Sequence, residues 1–370
     1  VNESTTSRRR IARAGLAAAA ATPVLAAPAL AQGALPEIRW RLTSAFPKVF
    51  DTLFGTAELV AKQVAAMTDD RFRIQVFPAG EIVPPFSVID AVQNGTVECG
   101  HGPNYYALGK DPTFAFDTAL PFGLTFRQHN AWIYHGGGLE LMREFLKGYN
   151  IIHFLAGNTG TQMGGFFRKE IKSVADMQGL KFRIAGLGGQ MLARMGVSPQ
   201  QLPVGEVYAA LERGTIDAAE FVGPYDDLRT GLVKVAPFYY APGFWEGSAA
   251  LSLNVNMDAW SKLPPSYQAA IETACGMANA DMMSKYDARN AQALRTLISQ
   301  GAQLRFFPRE VMAEAWKHAH AIYDETAAKN EKFKKVYEPW KAFRDEQFQW
   351  ARVADNNYEN FAFTATQTVR

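Results

Sequence analysis

Apolar and polar positions alternate over residues 38–45, IRWRLTSA, and again over 71–78, RFRIQVFP. This is the period-two pattern of half-buried strands. Between them residues 51–67 carry a helical apolar period that starts at Asp51, a good N-cap residue. Strand, helix, strand in succession predicts an α/β layered fold. LKFRIAG, residues 180–186, predicts another strand, with Leu180, Phe182 and Ile184 on one face and Lys181 and Arg183 on the other. ALSLNVNM, from 250, alternates once more and is expected to return the chain to the first lobe. After that the period becomes helical over 264–300, interrupted only by Gly276, then over 308–328 and 338–363. Pro339 suits the first turn of the last of these.

Two segments share one layout. AVQNGTVECG (91–100) and ALERGTIDAA (210–219) each end a helix, pass a glycine (Gly95, Gly214) and enter a Thr-Val/Ile-acid strand that leads to a proline turn. Glycine fits the left-handed residue that stops a helix. The join is a common one, but its repetition points to two similar lobes. The expected division is a first α/β lobe over 32–156, a second over 157–249, a return to the first over 250–305, and C-terminal helices over 306–370. The last stretch is dense in aromatics: Tyr337, Trp340, Phe343, Phe348, Trp350, Tyr358, Phe361 and Phe363. That is more apolar surface than a lone helix carries in water, so it covers the lobes or docks on a second subunit.

Residues 1–31 are expected to lie outside the fold. An arginine cluster (Arg8, Arg9, Arg10, Arg13) precedes a short Ala-rich run and the small-x-small sequence Ala29-Leu30-Ala31. This is the layout of an export signal, and Ser7-Arg8-Arg9-Arg10-Ile11 suggests the twin-arginine route to the periplasm. Without them, four arginines and one glutamate go, and the formal charge falls from +2 to −1. The remaining chain has no basic excess to attract nucleic acid or a membrane surface. Cys99 and Cys275 form no CxxC and are too few for a zinc site. Buried free thiols are the expected reading, with one disulfide permitted in an oxidising compartment.

No GxSxG elbow, HExxH pair or Walker A loop occurs. The unusual chemistry gathers in the middle lobe. GNTGTQMGGFFRKEI (157–171) places Gln162 in an apolar, glycine-rich strand, and LKFRIAG supplies Arg183. DAAEFVGPYDD (217–227) puts Glu220 and Phe221 at a strand end, and APGFWEGSA (241–249) places Glu246 after two aromatics. Strand ends facing a crevice are where open α/β sheets bind ligands. One cation, two acids, an amide and several aromatics make a small polar site in an apolar pocket. Taken singly, each has an ordinary structural role to hand: Arg183 facing water, Gln162 a polar strand residue, Glu220 a helix cap, Glu246 a surface loop residue. Two acids are also what a hydrolase uses.

At these residues the chain resembles a known family. The blocks WRLTSAFPK (40–48), GKDPTFA (109–115), GNTGTQMGG (157–165), ADMQGLKFR (175–183), GTIDAAE (214–220), VGPYDD (222–227) and KVAPFYY (234–240) are similar to the periplasmic solute-binding subunit of tripartite ATP-independent periplasmic (TRAP) transporters, in the branch that binds 2-oxo acids. The resemblance implies a two-lobed periplasmic binding protein fold with hinge strands, closing on its ligand. It implies that Arg183 pairs with the substrate carboxylate, as a planar guanidinium can through two parallel hydrogen bonds. It implies a bridging sodium, with calcium as the alternative, held by Gln162, Glu220, the Phe221 carbonyl and Glu246, all oxygen donors that suit a hard cation. Phe221 departs from the tryptophan usual there, which bears on pocket shape and chain-length preference. A tyrosine at Tyr105 or Tyr106 is implied to close over the ligand.

The expected function is capture of a small 2-oxo monocarboxylate, pyruvate or a short homologue, and its delivery to TRAP membrane subunits without catalysis. The aromatic C-terminal helix is expected to form a homodimer. The alternatives are a hydroxy acid of the lactate type bound with calcium, a ligand-sensing partner of a receptor, and a periplasmic enzyme using Glu220 and Glu246 as acid and base.

Overall fold

The computed structural model describes residues 35–368; the expectations for residues 1–31 lie outside them. The first sheet and its helices arise from β1 (Ile38–Ser44), α1 (Leu53–Met67), β2 (Phe72–Phe77), α2 (Val88–Gln93), β3 (Cys99–Gly102), α3 (Phe126–His135), α4 (Gly138–Lys147) and β4 (Ile151–Asn158). The second sheet begins with β5 (Gly165–Phe167), β6 (Lys181–Arg183), α5 (Gly186–Arg194), β7 (Ser198–Gln200), α6 (Val204–Glu212), β8 (Ala218–Ala219), α7 (Pro224–Thr230) and β9 (Phe238–Ala241). Then follow β10 (Ala250–Asn256), α8 (Met257–Trp260), α9 (Pro265–Ser299), β11 (Gln303–Phe306), α10 (Arg309–Lys329), α11 (Glu331–Val353) and α12 (Asp355–Thr368).

The first sheet runs β2-β1-β3-β10-β4. β1 pairs parallel with β2 and β3, and β10 lies antiparallel between β3 and β4. The alternation of β1 puts Trp40 and Leu42 inward, where Trp40 meets Phe72 edge-on at 4.9 Å. The α1 residues Ala57, Val60, Ala61 and Val64, at helical spacing, join the same core. The second sheet runs β11-β9-β5-β8-β6-β7. Its β5 has φ +88° at Gly165, and a Cβ there would lie 2.3 Å from the Ala219 carbonyl oxygen. Only glycine lets β5 approach β8 that closely.

Helix α9 joins the lobes. Its first half packs into the first core through Tyr267, Ile271, Ala274 and Ala278. Met282 and Tyr286 enter a mixed cluster with Phe46 and Phe50 of the first lobe and Phe221 and Val222 of the second. Leu297 reaches the second core. At 35 residues α9 spans roughly 50 Å. It runs unbroken past Gly276, where an added Cβ would meet nothing within 4 Å.

Several expectations need correction. The helix after β1 begins at Leu53, not Asp51, and no side chain caps it. Asp51 is drawn away by Arg229, Arg289 and the Tyr225 hydroxyl. β4 continues to Asn158, and β11 belongs to the second sheet, so the return to the first lobe does not extend to 305. Pro339 lies inside α11, not in its first turn, because Asn330 caps that helix nine residues earlier by accepting from the Phe333 amide. The single helix expected over 338–363 is two, α11 and α12. Gly95 and Gly214 do adopt left-handed conformations, at φ +69° and +71°. Both cysteines are free and buried.

Candidate ligand and cation site

A small cavity of about 20 Å³ lies where the lobes meet. The first lobe supplies Phe46, Leu53, Pro103, Tyr105 and Tyr106, and the second supplies Gln162, Arg183, Phe221 and Val222. Thr159, Ala249 and Leu251 line it from the two segments that cross between lobes. Glu220 and Glu246 sit behind this lining, both buried. The structure thus gathers all seven residues singled out from the sequence at one place.

Arg183 is 2 % exposed and does not face water. Strand alternation puts it opposite Phe182, which packs against Phe167 and edge-on to Trp245. Its Nη1 donates to Glu220 Oε1 at 2.6 Å and to the Glu220 carbonyl at 2.8 Å. Its Nε donates to the Leu202 carbonyl at 3.0 Å. Nη2 has no carboxylate or carbonyl acceptor among the described residues, and the half-buried Tyr106 hydroxyl lies beside the guanidinium. The Phe221 ring stands 6.0 Å from the guanidinium and packs on Phe50 at 4.9 Å.

The two acids are under strain from burial. Burial pushes Glu220 up to about 7, although Arg183 and the Ala185 amide favour its anion. Burial first, and the Glu220 charge second, push Glu246 well above the carboxylate range, while the Tyr105 hydroxyl and Arg183 pull it back. Burial also disfavours the Arg183 cation, but the surrounding acids and tyrosines outweigh it and raise its pKa. One guanidinium cannot neutralise two carboxylates. A proton or a second cation must complete the site.

Two buried oxygens of this region stand without partners and could hold a cation. Gln162 Oε1 and Glu246 Oε2 have no hydrogen-bond partner. A buried polar atom left unpaired costs about 1–3 kcal/mol. Both belong to hard oxygen donors, and the Gln162 amide N–H bonds to the Glu246 carbonyl at 3.2 Å, holding the two segments together. Among the described residues no three His, Cys, Asp or Glu form a metal-holding group. An ion here would have to draw on two carboxylates, an amide and further oxygens from the backbone or a ligand.

The sequence did not single out Phe46, Leu53, Leu251 or Thr159. Phe46 and Thr159 lie within the WRLTSAFPK and GNTGTQMGG blocks, but an apolar residue or a lone hydroxyl carries no sequence signal of its own.

Residues 44–330 match the model of the bacterial extracellular solute-binding protein family 7. The chain is 53 % identical over 331 residues to a monocarboxylate 2-oxoacid-binding periplasmic protein of Nostoc sp., covering 90 % of this chain and 91 % of that protein. It superposes with a TM-score of 0.89, at 50 % identity, on a TRAP transporter solute-binding protein of Bordetella bronchiseptica, a mixed-occupancy dimer with copurified calcium and picolinate bound; 90 % of this chain and 100 % of that one are covered. It superposes with a TM-score of 0.84, at 38 % identity, on a TRAP periplasmic solute-binding protein of Pseudoalteromonas atlantica with bound sodium and pyruvate, covering 88 % and 99 % of the two chains.

Proposed function

We propose, from the premise that this chain belongs to family 7 of the bacterial extracellular solute-binding proteins, that it captures a small 2-oxo monocarboxylate of the pyruvate type together with a cation and hands it to TRAP membrane subunits. It is a transport protein and not an enzyme, so Glu220 and Glu246 are not an acid–base pair.

The observation that carries this reading is the buried Arg183 beside two orphaned oxygens, Gln162 Oε1 and Glu246 Oε2. Arg183 would hold the ligand carboxylate through Nη2, the nitrogen left when Glu220 takes Nη1 and the Leu202 carbonyl takes Nε, rather than through the two parallel bonds of a free guanidinium edge. Gln162, Glu246, Glu220 and the Phe221 carbonyl would hold the cation, and the ligand's oxygens would complete its shell. Without a cation, two carboxylates would repel an anionic ligand; with it they attract one. Cation and ligand therefore bind cooperatively, each raising the other's affinity by the same factor. Sodium is the first candidate, and calcium is supported equally by the similar structures, which differ in their ion. Tyr105 and Tyr106 close the site from the first lobe.

Thermal melting of the protein without its first 31 residues tests this. Pyruvate and sodium together, at 100 times the dissociation constant, should add about 2.7 kcal/mol, a shift of several degrees. A shift with calcium in place of sodium changes the ion. A shift with lactate but not pyruvate changes the ligand class. No shift with any acid and either ion returns Gln162, Glu220 and Glu246 to structural roles.

The chain is also proposed to dimerise through its C-terminal helix. Trp350, Tyr358, Phe361 and Phe363 are between 54 % and 76 % exposed along the end of α11 and α12. A second copy laid on this face would cover them.

A further inference from the structure

We infer that Thr159 is a positioning residue that fixes which end of the Gln162 amide faces the cation, an inference that rests on the binding reading above. Thr159 is buried at the end of β4, where the chain crosses between lobes. Its Oγ1 donates to the Gly160 carbonyl at 2.9 Å. The same oxygen accepts from the Ala249 amide at 3.2 Å and from Gln162 Nε2 at 3.1 Å.

A hydroxyl has one proton and two lone pairs. Here the proton is committed to Gly160 and both lone pairs are filled by N–H groups. If the Gln162 amide turned over, its Oε1 could be met only by a hydroxyl that gave up the Gly160 carbonyl, leaving that carbonyl short of its donor. Nε2 against Thr159 keeps all three bonds, so Oε1 is left pointing elsewhere, and it is the buried oxygen without a partner. Thr159 thus stores the orientation that a cation requires, as the outer partners of metal ligands commonly do.

Thr159 also ties the crossing segments together, because its own amide donates to the Ala249 carbonyl at 3.0 Å. A hinge pin and an amide-positioning residue make different predictions. Thr159→Val keeps the shape and the main-chain bond but removes the hydroxyl; Thr159→Ala gives a second variant if valine does not fold; Thr159→Ser restores the hydroxyl. Pyruvate titration calorimetry would be run across a series of sodium concentrations, or calcium if the wild type requires it.

In the valine variant the cation concentration for half-maximal effect should rise roughly 10- to 100-fold. Because Thr159 also lines the cavity, pyruvate affinity at saturating cation should fall too, but by less than the cation requirement rises, and the serine variant should restore both. An unchanged cation requirement in both the valine and alanine variants overturns the inference. So does a loss of pyruvate affinity equal at every cation concentration, which is the behaviour of a hinge pin alone. A wild type with no cation requirement instead overturns the binding reading itself, and this inference with it.

Discussion

Arg183 shows how far one residue can be read. Its alternation with Phe182 and Ile184 is visible in the sequence and predicts a face opposite the core. Alternation cannot tell solvent from a crevice, and here Glu220 and Leu202 of its own lobe and Tyr106 of the first lobe surround it. The same blindness applies to Glu220, which Arg183 meets from 37 positions away, and to Glu246, which takes the Tyr105 hydroxyl from more than a hundred. Arg183→Ala should abolish detectable 2-oxo acid binding by titration calorimetry and should also lower the melting temperature. The second effect follows because Glu220 loses the partner of a buried pair, a change that typically costs 3–5 kcal/mol. Near-wild-type binding would remove Arg183 from the site.

The buried acids also set a pH dependence. Burial pushes Glu220 up to about 7, Asp226 to about 6, Asp227 to about 7, and Glu246 well above its usual range. Each holds its proton more tightly folded than unfolded. Their contribution to stability is therefore complete below about pH 4 and is lost as pH rises through 6 and 7. Carboxylates held low by surface cations, such as Glu170 beside Arg305, change only at lower pH and are screened by water. The buried His101 and His129, pushed down to about 4 by burial, work the other way as pH falls below about 6, but four raised acids outweigh two histidines, so the ligand-free protein should melt at a higher temperature at pH 5 than at pH 8. The shift produced by pyruvate with cation should run the other way, larger at pH 8, because the cation needs ionised carboxylates. A ligand shift independent of pH would count against Glu220 and Glu246 as cation ligands.

At the scale of elements, strands and helices with clean periods were legible, and their ends were not. Helix α1 starts after Thr52 because the lobes claim the residues that would have capped it. Thr52 Oγ1 donates to Asp226 at 2.8 and 3.0 Å, Asp51 pairs with Arg229 and Arg289, and Phe50 packs on Phe221. Asp51 and Thr52 of the first lobe thereby clasp α7 outside the cavity, while Phe50 packs on Phe221 at its edge. Closing free energy stored there raises ligand affinity without touching ligand. Thr52→Ala should weaken pyruvate binding roughly tenfold, about 1.4 kcal/mol, and speed release in stopped flow, with the cation requirement unchanged. An unchanged release rate would mean the clasp does not resist opening. The break between α11 and α12 was equally hidden, since the helical period continues across it. Pro339 misled because its fixed φ suits a helix start, while here the cap is Asn330, which no periodicity announces.

For the whole molecule, two lobes and a ligand crevice could be read from the repeated helix–glycine–strand layout and the family-like blocks. The sharing of elements between lobes could not, because strand order is set by long-range pairing. The exposed aromatics of α12 bear on the proposed dimer. A chain ending at residue 354 should be monomeric by light scattering at micromolar concentration while the full chain is dimeric. A full chain that is monomeric would discard the dimer.

The place of β10 has a consequence for the chain while it is being made. It lies between β3 and β4, antiparallel to both, and nearly a hundred residues separate β4 from it. A ribosome that has delivered residue 158 has released every other strand of the first sheet but not the one that joins them. β3 and β4 then wait with two open edges, and so does Asp117, whose carboxylate accepts from Ser252 of β10 at 2.8 Å. Most of the second lobe must emerge before the first can close, its own β11 follows β10, and a chain stopped before residue 250 contains neither sheet complete.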